Sequence, residues 1–194
     1  MKLSPRDMAL AALFAALAAV AAMLSRFFIT PYVPFSLVPF VVMLAGGLLG
    51  ARVGALSMLI YVLLGLVGLP VFETAPFGGP AYVLKPTFGF LLGFIGGAWV
   101  TGALAPKQKD PGVVPLFLAM VAGLAVIYVI GLPYLYVILN FYMGKTFSAL
   151  QVIKIGFLPF IGFDLLKAAL AAVLARLVYR RLHGLGGGST GRVR

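Results

Sequence analysis

The chain has 194 residues, of which 63% are hydrophobic and 10% charged, and its mean hydropathy is +1.14. That composition argues against a soluble globular domain and leaves room for about six spans of ~20 residues with no separate soluble domain. The formal charge of +11 would suit nucleic acid, but its distribution points to topology instead. Lys2, Arg6, Arg52, Lys107, Lys109, Arg176, Arg180, Arg181, Arg192 and Arg194 fall at the N-terminus, in alternate loops or at the C-terminal end. Arg26, Lys85, Lys145 and Lys154 belong to the opposite side, and Lys167 lies within a span. Ten cations against four is the positive-inside pattern, with both termini in the cytoplasm and no nucleic-acid partner.

The first span is expected from about Met8 to Ile29. Its basic lead and apolar run resemble a signal peptide, but the apolar part is too long and further spans follow, so it reads as an uncleaved helix. Ala11, Ala15 and Ala19 recur at four-residue spacing, with Ala12–Ala16 and Ala18–Ala22 beside them. Small residues at that spacing let helices approach closely in lipid. Either the face packs inside the chain or it docks onto a separate membrane partner.

The segment TPYVPFSLVPF is an outer loop, because its prolines forbid regular helix. A second span begins near Leu37 and meets GLLGARVGA, where Gly50, Arg52 and Gly54 suggest a tight inner turn; a third reaches Leu69. Residues 70–87, PVFETAPFGGPAYVLKPT, form a long outer loop. Loops of that length are usually functional or disordered, and the aromatic residues argue against disorder. The fourth span covers about Phe88–Ala105, with Gly89, Gly93 and Gly97 read as internal packing.

A short charged inner loop, PKQKDPG, leads to a fifth span from about Val113 to Met143, with a break suggested at Gly131-Leu132-Pro133. GKTFSALQVIKIGFLP suits a short interfacial helix. The sixth span covers about Phe160–Leu182. Residues 1–182 thus read as one all-α integral membrane domain with six transmembrane helices, and 183–194 as a flexible cytoplasmic tail. His183, the only histidine, belongs to that tail.

Within the sixth span, PFIGFDLLKAALAAVLARLVYRR, Asp164 and Lys167 interrupt the apolar run. Ionisable groups at bilayer depth cost about 2.5–3.5 kcal/mol on insertion scales and usually face a cavity or each other. At i, i+3 their Cβ atoms lie about 5–6 Å apart on one helix face. They form either a neutralising ion pair or part of a polar ligand site. Phe72, Glu73, Phe77, Gly78, Gly79, Tyr82, Lys85 and Thr87 crowd the second outer loop, and Asn140 and Tyr142 end the fifth span. Aromatic and apolar walls with a few placed polar groups suit a small-molecule pocket. Tyr32, Phe35 and Trp99 read instead as an interfacial belt.

Absences narrow the function. There is no cysteine, hence no thiolate metal site or cysteine nucleophile, and no Gly-x4-Gly-Lys-Ser/Thr phosphate loop for nucleotide hydrolysis. Asp164 is the only carboxylate in a span beyond the start of the first helix, so paired-acid or metal-dependent hydrolysis is not supported. The chain reads as a non-enzyme without cofactor or metal.

GLPVFETAPFGGPAYVLKPTFGFLLGF resembles the signature segment of the BioY family, the biotin-specific substrate-binding components of energy-coupling factor transporters. FLPFIGFDLLKAALA resembles the family's second signature, with an acid and a lysine separated by two residues after a proline-containing turn. The alanine-rich first helix and PFSLVPFVVMLAGGLLG extend the resemblance to about residues 8–182. Lys85 and Phe163 depart from it, standing where glycine is common.

The resemblance implies a six-helix fold in the cell membrane that captures biotin near the outer face for ATP-dependent import. With biotin as the implied ligand, the polar and aromatic cluster read above makes Phe72, Glu73, Phe77, Gly78, Tyr82, Lys85, Thr87, Asn140, Asp164 and Lys167 the candidate substrate contacts, with Lys85, in the outer loop, the candidate for the carboxylate. It also implies docking through Ala11, Ala15 and Ala19 onto a transmembrane coupling protein driven by two ATPase subunits. The competing functions are a component for another small vitamin-like solute, a transporter working alone, and a non-transporting scaffold.

Overall fold

The computed structural model describes residues 3–27, 35–106, 108 and 110–184, the last three without their side chains. The described residues are helical: α1 Pro5–Ser25, α2 Val38–Leu66, α3 Phe88–Leu104, α4 Val113–Val137, α5 Ala149–Gly156 and α6 Leu158–Gly184. A 3₁₀ turn, Pro80–Leu84, precedes α3, and a π-helical turn, Ile138–Tyr142, extends α4. Four helices are long and apolar enough to cross a membrane, namely α1, α2, α4 with its π turn, and α6. The apolar α3 is shorter, at 17 residues. The chain is thus an all-helical membrane protein.

Local chemistry fixes the starts of α1 and α5. Ser4 caps α1 by accepting from the Asp7 N–H at 3.1 Å, and the Asp7 carboxylate accepts from the Ser4 N–H at 3.0 Å. Such a reciprocal capping box, here with proline in the first turn, satisfies donors that the helix cannot use. Ser148 and Gln151 build the same device at the start of α5, the short helix expected between the fifth and sixth spans.

Helix α2 is not straight. Gly50 has φ 79° and ψ 175°, and a Cβ added to Gly54 would stand 3.0 Å from the carbonyl of Ala45. In a continuous helix those residues would lie about 13 Å apart along the axis. The chain therefore folds back at Gly50, as GLLGARVGA suggested, in a conformation open mainly to glycine. Helix α3 lies against the turn so closely that a Cβ on Gly102 would sit 2.3 Å from the Gly50 carbonyl carbon.

The α3–α4 contact follows the expected glycine stripe. Cβ atoms at Gly93 and Gly97 would come within 2.8 Å of the Ile127 oxygen and 2.9 Å of the Gly123 oxygen. The suggested break at Gly131-Leu132-Pro133 does not occur, since Pro133 sits inside a continuous α4. The helix widens five residues later instead, where the Met143 N–H bonds to the Ile138 oxygen at 2.9 Å. Helix α6 starts at Leu158, two residues before the expected Phe160, with Pro159 in the first turn, where its missing donor costs nothing.

The alanines of α1 are divided between the inside and the outside of the bundle. Ala11, Ala15, Ala18 and Ala22 are buried against the rest of the chain and Ala19 is half-buried, because small side chains let α1 settle closely on α2. Ala9, Ala12 and Ala16 are the small residues left exposed, the last two beside Leu13, Leu17, Val20 and Leu24. At the end of the bundle that carries the Gly50 turn, the Tyr179 hydroxyl donates to the Gly47 oxygen at 2.8 Å, and Asp110 pairs with Arg176 at 3.4 Å.

Candidate ligand-binding site

A buried charge cluster lies at the other end. Asp164 and Lys167 are only 5% and 8% exposed, and their Oδ1 and Nζ atoms are 2.6 Å apart. The remaining carboxylate oxygen accepts from the Tyr128 hydroxyl of α4. Lys167 Nζ also donates to the Ser36 carbonyl at 2.6 Å and stands 4.4 Å above the Phe35 ring. Each charge thus has more than one partner, as burial in a poorly screening environment requires.

Beside the cluster lies a mainly apolar cavity. Ser36 and Pro39 at the start of α2 line it, with Glu73, Tyr82 and Thr87 from the 70–87 segment. Phe90, Leu91 and Phe94 of α3 and Ile127 and Tyr128 of α4 form the apolar side. Gly156, Phe160 and Asp164 complete the wall. Its polar groups are few and mutually bonded: the Ser36 hydroxyl donates to Glu73, and the Tyr82 hydroxyl lies 2.8 Å from Thr74 Oγ1 and 3.5 Å from Thr87 Oγ1.

The 70–87 segment is ordered, as its aromatic residues suggested. The Phe72 N–H bonds to the Phe77 oxygen and the Phe77 N–H to the Thr74 oxygen, both at 2.8 Å. The Gly79 N–H reaches the Gly65 oxygen at 2.7 Å. The Ala75–Pro76 peptide is cis and Phe77 has φ 65°. A Cβ on Gly78 would lie 2.3 Å from the Leu69 oxygen, so this turn is pressed directly onto the end of α2.

Of the residues singled out in the sequence, Glu73, Tyr82, Thr87 and Asp164 stand in the cavity wall. Lys167 lies one helical turn behind, bonded to Asp164. Phe72 is fully buried behind the wall, its ring 4.4 Å from that of Tyr82 and 5.7 Å from that of Tyr61. Phe77, Gly78, Lys85 and Asn140 are not among the lining residues. Lys85 is half-buried at the end of the 3₁₀ turn. The Asn140 amide is engaged with backbone, donating to the Tyr136 oxygen at 3.0 Å and accepting from the Phe147 N–H at 2.7 Å.

Phe35 was read as interfacial, yet it lies against Lys167 and meets Phe163 edge-on at 5.0 Å. Trp99 is exposed on α3, and Tyr32 lies outside the described residues. Sequence reasoning missed Ser36 and Tyr128. A tyrosine in the middle of an apolar span was a usable signal, because its hydroxyl needs a partner there.

Burial pushes the Glu73 carboxyl up to about 7, against the lowering effect of the Ser36 and Ser25 hydroxyls and of Lys167. Its folded-state value lies above the ordinary 4.5, so ionisation favours the unfolded chain. Stability is therefore greatest below the ordinary value and falls as pH rises through the folded one. Thermal unfolding should show the wild type more stable at about pH 5 than at about pH 8, by on the order of 1–3 kcal/mol. Glu73→Gln should flatten that difference; a difference unchanged by the substitution would assign it to another group.

Membrane-length helices enclosing a largely apolar cavity with a few buried polar groups define a membrane protein that binds a small solute. The chain belongs to the BioY family, whose profile matches residues 1–184. It is 41% identical over 177 residues to a probable biotin transporter BioY of Lysinibacillus sphaericus, covering 91% of this chain and 88% of that one. It is 44% identical over 144 residues to the biotin transporter BioY of Thermotoga maritima, covering 74% of this chain and 79% of that one. The fold is similar to the crystal structure of the S-component for biotin from an ECF-type ABC transporter, with a TM-score of 0.71 and 24% identity over 90% of this chain and 91% of that one. Membership in this family makes the chain a transport component rather than an enzyme.

Proposed function

We propose that this chain captures biotin in the cavity and is the substrate-binding component of an energy-coupling factor transporter, importing the vitamin with an ATP-driven module. The observation that carries this reading is the buried Tyr128–Asp164–Lys167 group beside an apolar, aromatic-walled cavity, in a chain of the BioY family.

Biotin's chemistry suits these residues. Its ureido ring has two N–H donors and one carbonyl acceptor, its thioether ring is apolar, and its tail carries a carboxylate. Asp164 accepts a ureido N–H in a charge-assisted bond while Tyr128 and Lys167 hold the carboxylate in place. Phe90, Phe94 and Phe160 cover the apolar ring. Lys85, outside the lining residues, is the cation proposed to meet the biotin carboxylate when ligand fills the entrance.

Six crossings are proposed, with both termini in the cytoplasm of the cell in whose plasma membrane the chain sits. The reversal at Gly50 divides α2 into two antiparallel legs, and the ten-to-four split of cations supports the orientation. The coupling protein, which engages two ATPase subunits, is proposed to dock on α1 through the exposed Ala12/Ala16 side rather than the buried Ala11/Ala15 side.

Mass spectrometry of protein purified after mild solubilisation should find bound biotin, and vesicles containing only this chain should bind biotin without accumulating it. A different bound solute would replace the substrate, and uphill uptake by the chain alone would remove the need for a separate module.

A further inference from the structure

Arg26, the last described cation before the outer connection, is placed where no sequence motif drew attention to it. Its Nε and Nη2 atoms donate to the Phe72 carbonyl at 3.2 and 3.0 Å, and Nη2 also donates to the Pro70 carbonyl. The guanidinium stands 4.3 Å over the Phe77 ring. One side chain thus grips both the entry and the far side of the 70–77 turn.

The base from which it reaches is fixed as well. Ser25, fully buried, donates to the Ala21 oxygen at 2.7 Å and accepts from the Leu37 N–H at 2.8 Å, tying the end of α1 to the start of α2. The gripped segment carries Glu73 in the cavity wall, and the Phe72 ring backs Tyr82, also in the wall. Elsewhere the turn is held by the Ser36–Glu73 bond, by the Thr74–Tyr82 hydroxyl bond at 2.8 Å, and by a longer one from the Tyr61 hydroxyl to the Val71 oxygen at 3.3 Å.

We propose that Arg26 is a positioning residue that fastens the 70–77 segment to α1 as a latch, and so sets how fast ligand enters and leaves the cavity. The chemistry is specific to arginine. A planar guanidinium can donate in a fork and stack on a ring at once, whereas a lysine ammonium is a compact point charge on a flexible stem. Charge-assisted bonds to carbonyls are also about twice as strong as neutral ones. The proposal rests on the reading of this cavity as the biotin site.

The test is the kinetics of radiolabelled biotin on the full chain in lipid nanodiscs. Arg26→Ala should speed both binding and release, with release faster by about ten- to hundredfold, the factor expected for losing a charge-assisted bond. Arg26→Lys keeps the charge but should not restore slow release, and it is the variant to read if the alanine variant does not fold. A merely structural role would lower the fraction of protein that binds and leave the rate constants of the remainder unchanged; that result, or wild-type release rates in both variants, overturns the latch.

If the wild type itself binds no biotin, the substrate reading fails separately, and amide hydrogen exchange at Phe72 and Phe77 then decides. Faster exchange in Arg26→Lys upholds the latch, and unchanged exchange overturns it.

Discussion

Asp164→Asn is expected to weaken biotin binding by about ten- to hundredfold and to destabilise the apo protein by about 3–5 kcal/mol. The size is kept, but the charge is lost and one acceptor becomes a donor. With Lys167 Nζ 2.6 Å from Oδ1 and Tyr128 donating to Oδ2, the amide can serve only one of the two, and a buried ammonium loses its counter-charge. Combining the change with Lys167→Met separates the two readings of the pair. If the pair only neutralises charge in the helix, the double variant should recover both thermal stability and biotin affinity. If it serves the ligand, stability should recover in large part while affinity stays low. Calorimetry with biotin and with its uncharged amide adds a control: the Asp164→Asn loss should be similar for both, because the proposed contact is to the ring.

Ala15→Trp and Ala16→Trp should fail in different ways although they are adjacent. Ala15 is 1% exposed within the bundle, so an indole there overpacks the α1–α2 contact; the chain should fail to fold or lose at least about 3 kcal/mol. Ala16 is exposed, so its substitution should preserve folding and biotin binding while preventing close approach of the coupling protein, with complex formation and uptake abolished. Co-purification with the coupling subunits, alongside biotin binding, reads both effects. Normal assembly and transport by Ala16→Trp would move the docking face elsewhere.

The alanines of α1 also mark a limit of sequence reading. Alanine occurs on every side of that helix, and lipid accepts an apolar face as readily as protein does, so the pattern has no polar edge from which to set its phase. The Gly50 turn was legible because glycine and arginine cluster where the hydropathy falls. Asp164 and Lys167 were legible because charge is costly at bilayer depth. Their partners were not: Tyr128 and Ser36 come from distant segments, and only packing of α6 against α2 and α4 brings them together. The surroundings of Asn140 were not legible either. Its amide donates to the Tyr136 oxygen of α4 and accepts from the Phe147 N–H beyond the π turn, contacts that only the folded chain end creates.

The bond from Lys167 to the Ser36 carbonyl, spanning 131 positions of the chain, bears on biogenesis. Ser36 and Glu73 emerge early from the ribosome, but their charged counterpart arrives with the final helix. A nascent chain halted before α6 holds Glu73 without the lysine that favours its ionised form. With the cavity as the proposed biotin site, capture requires completed insertion, and vitamin present during synthesis should stabilise finished molecules while leaving truncated ones open to quality-control proteases.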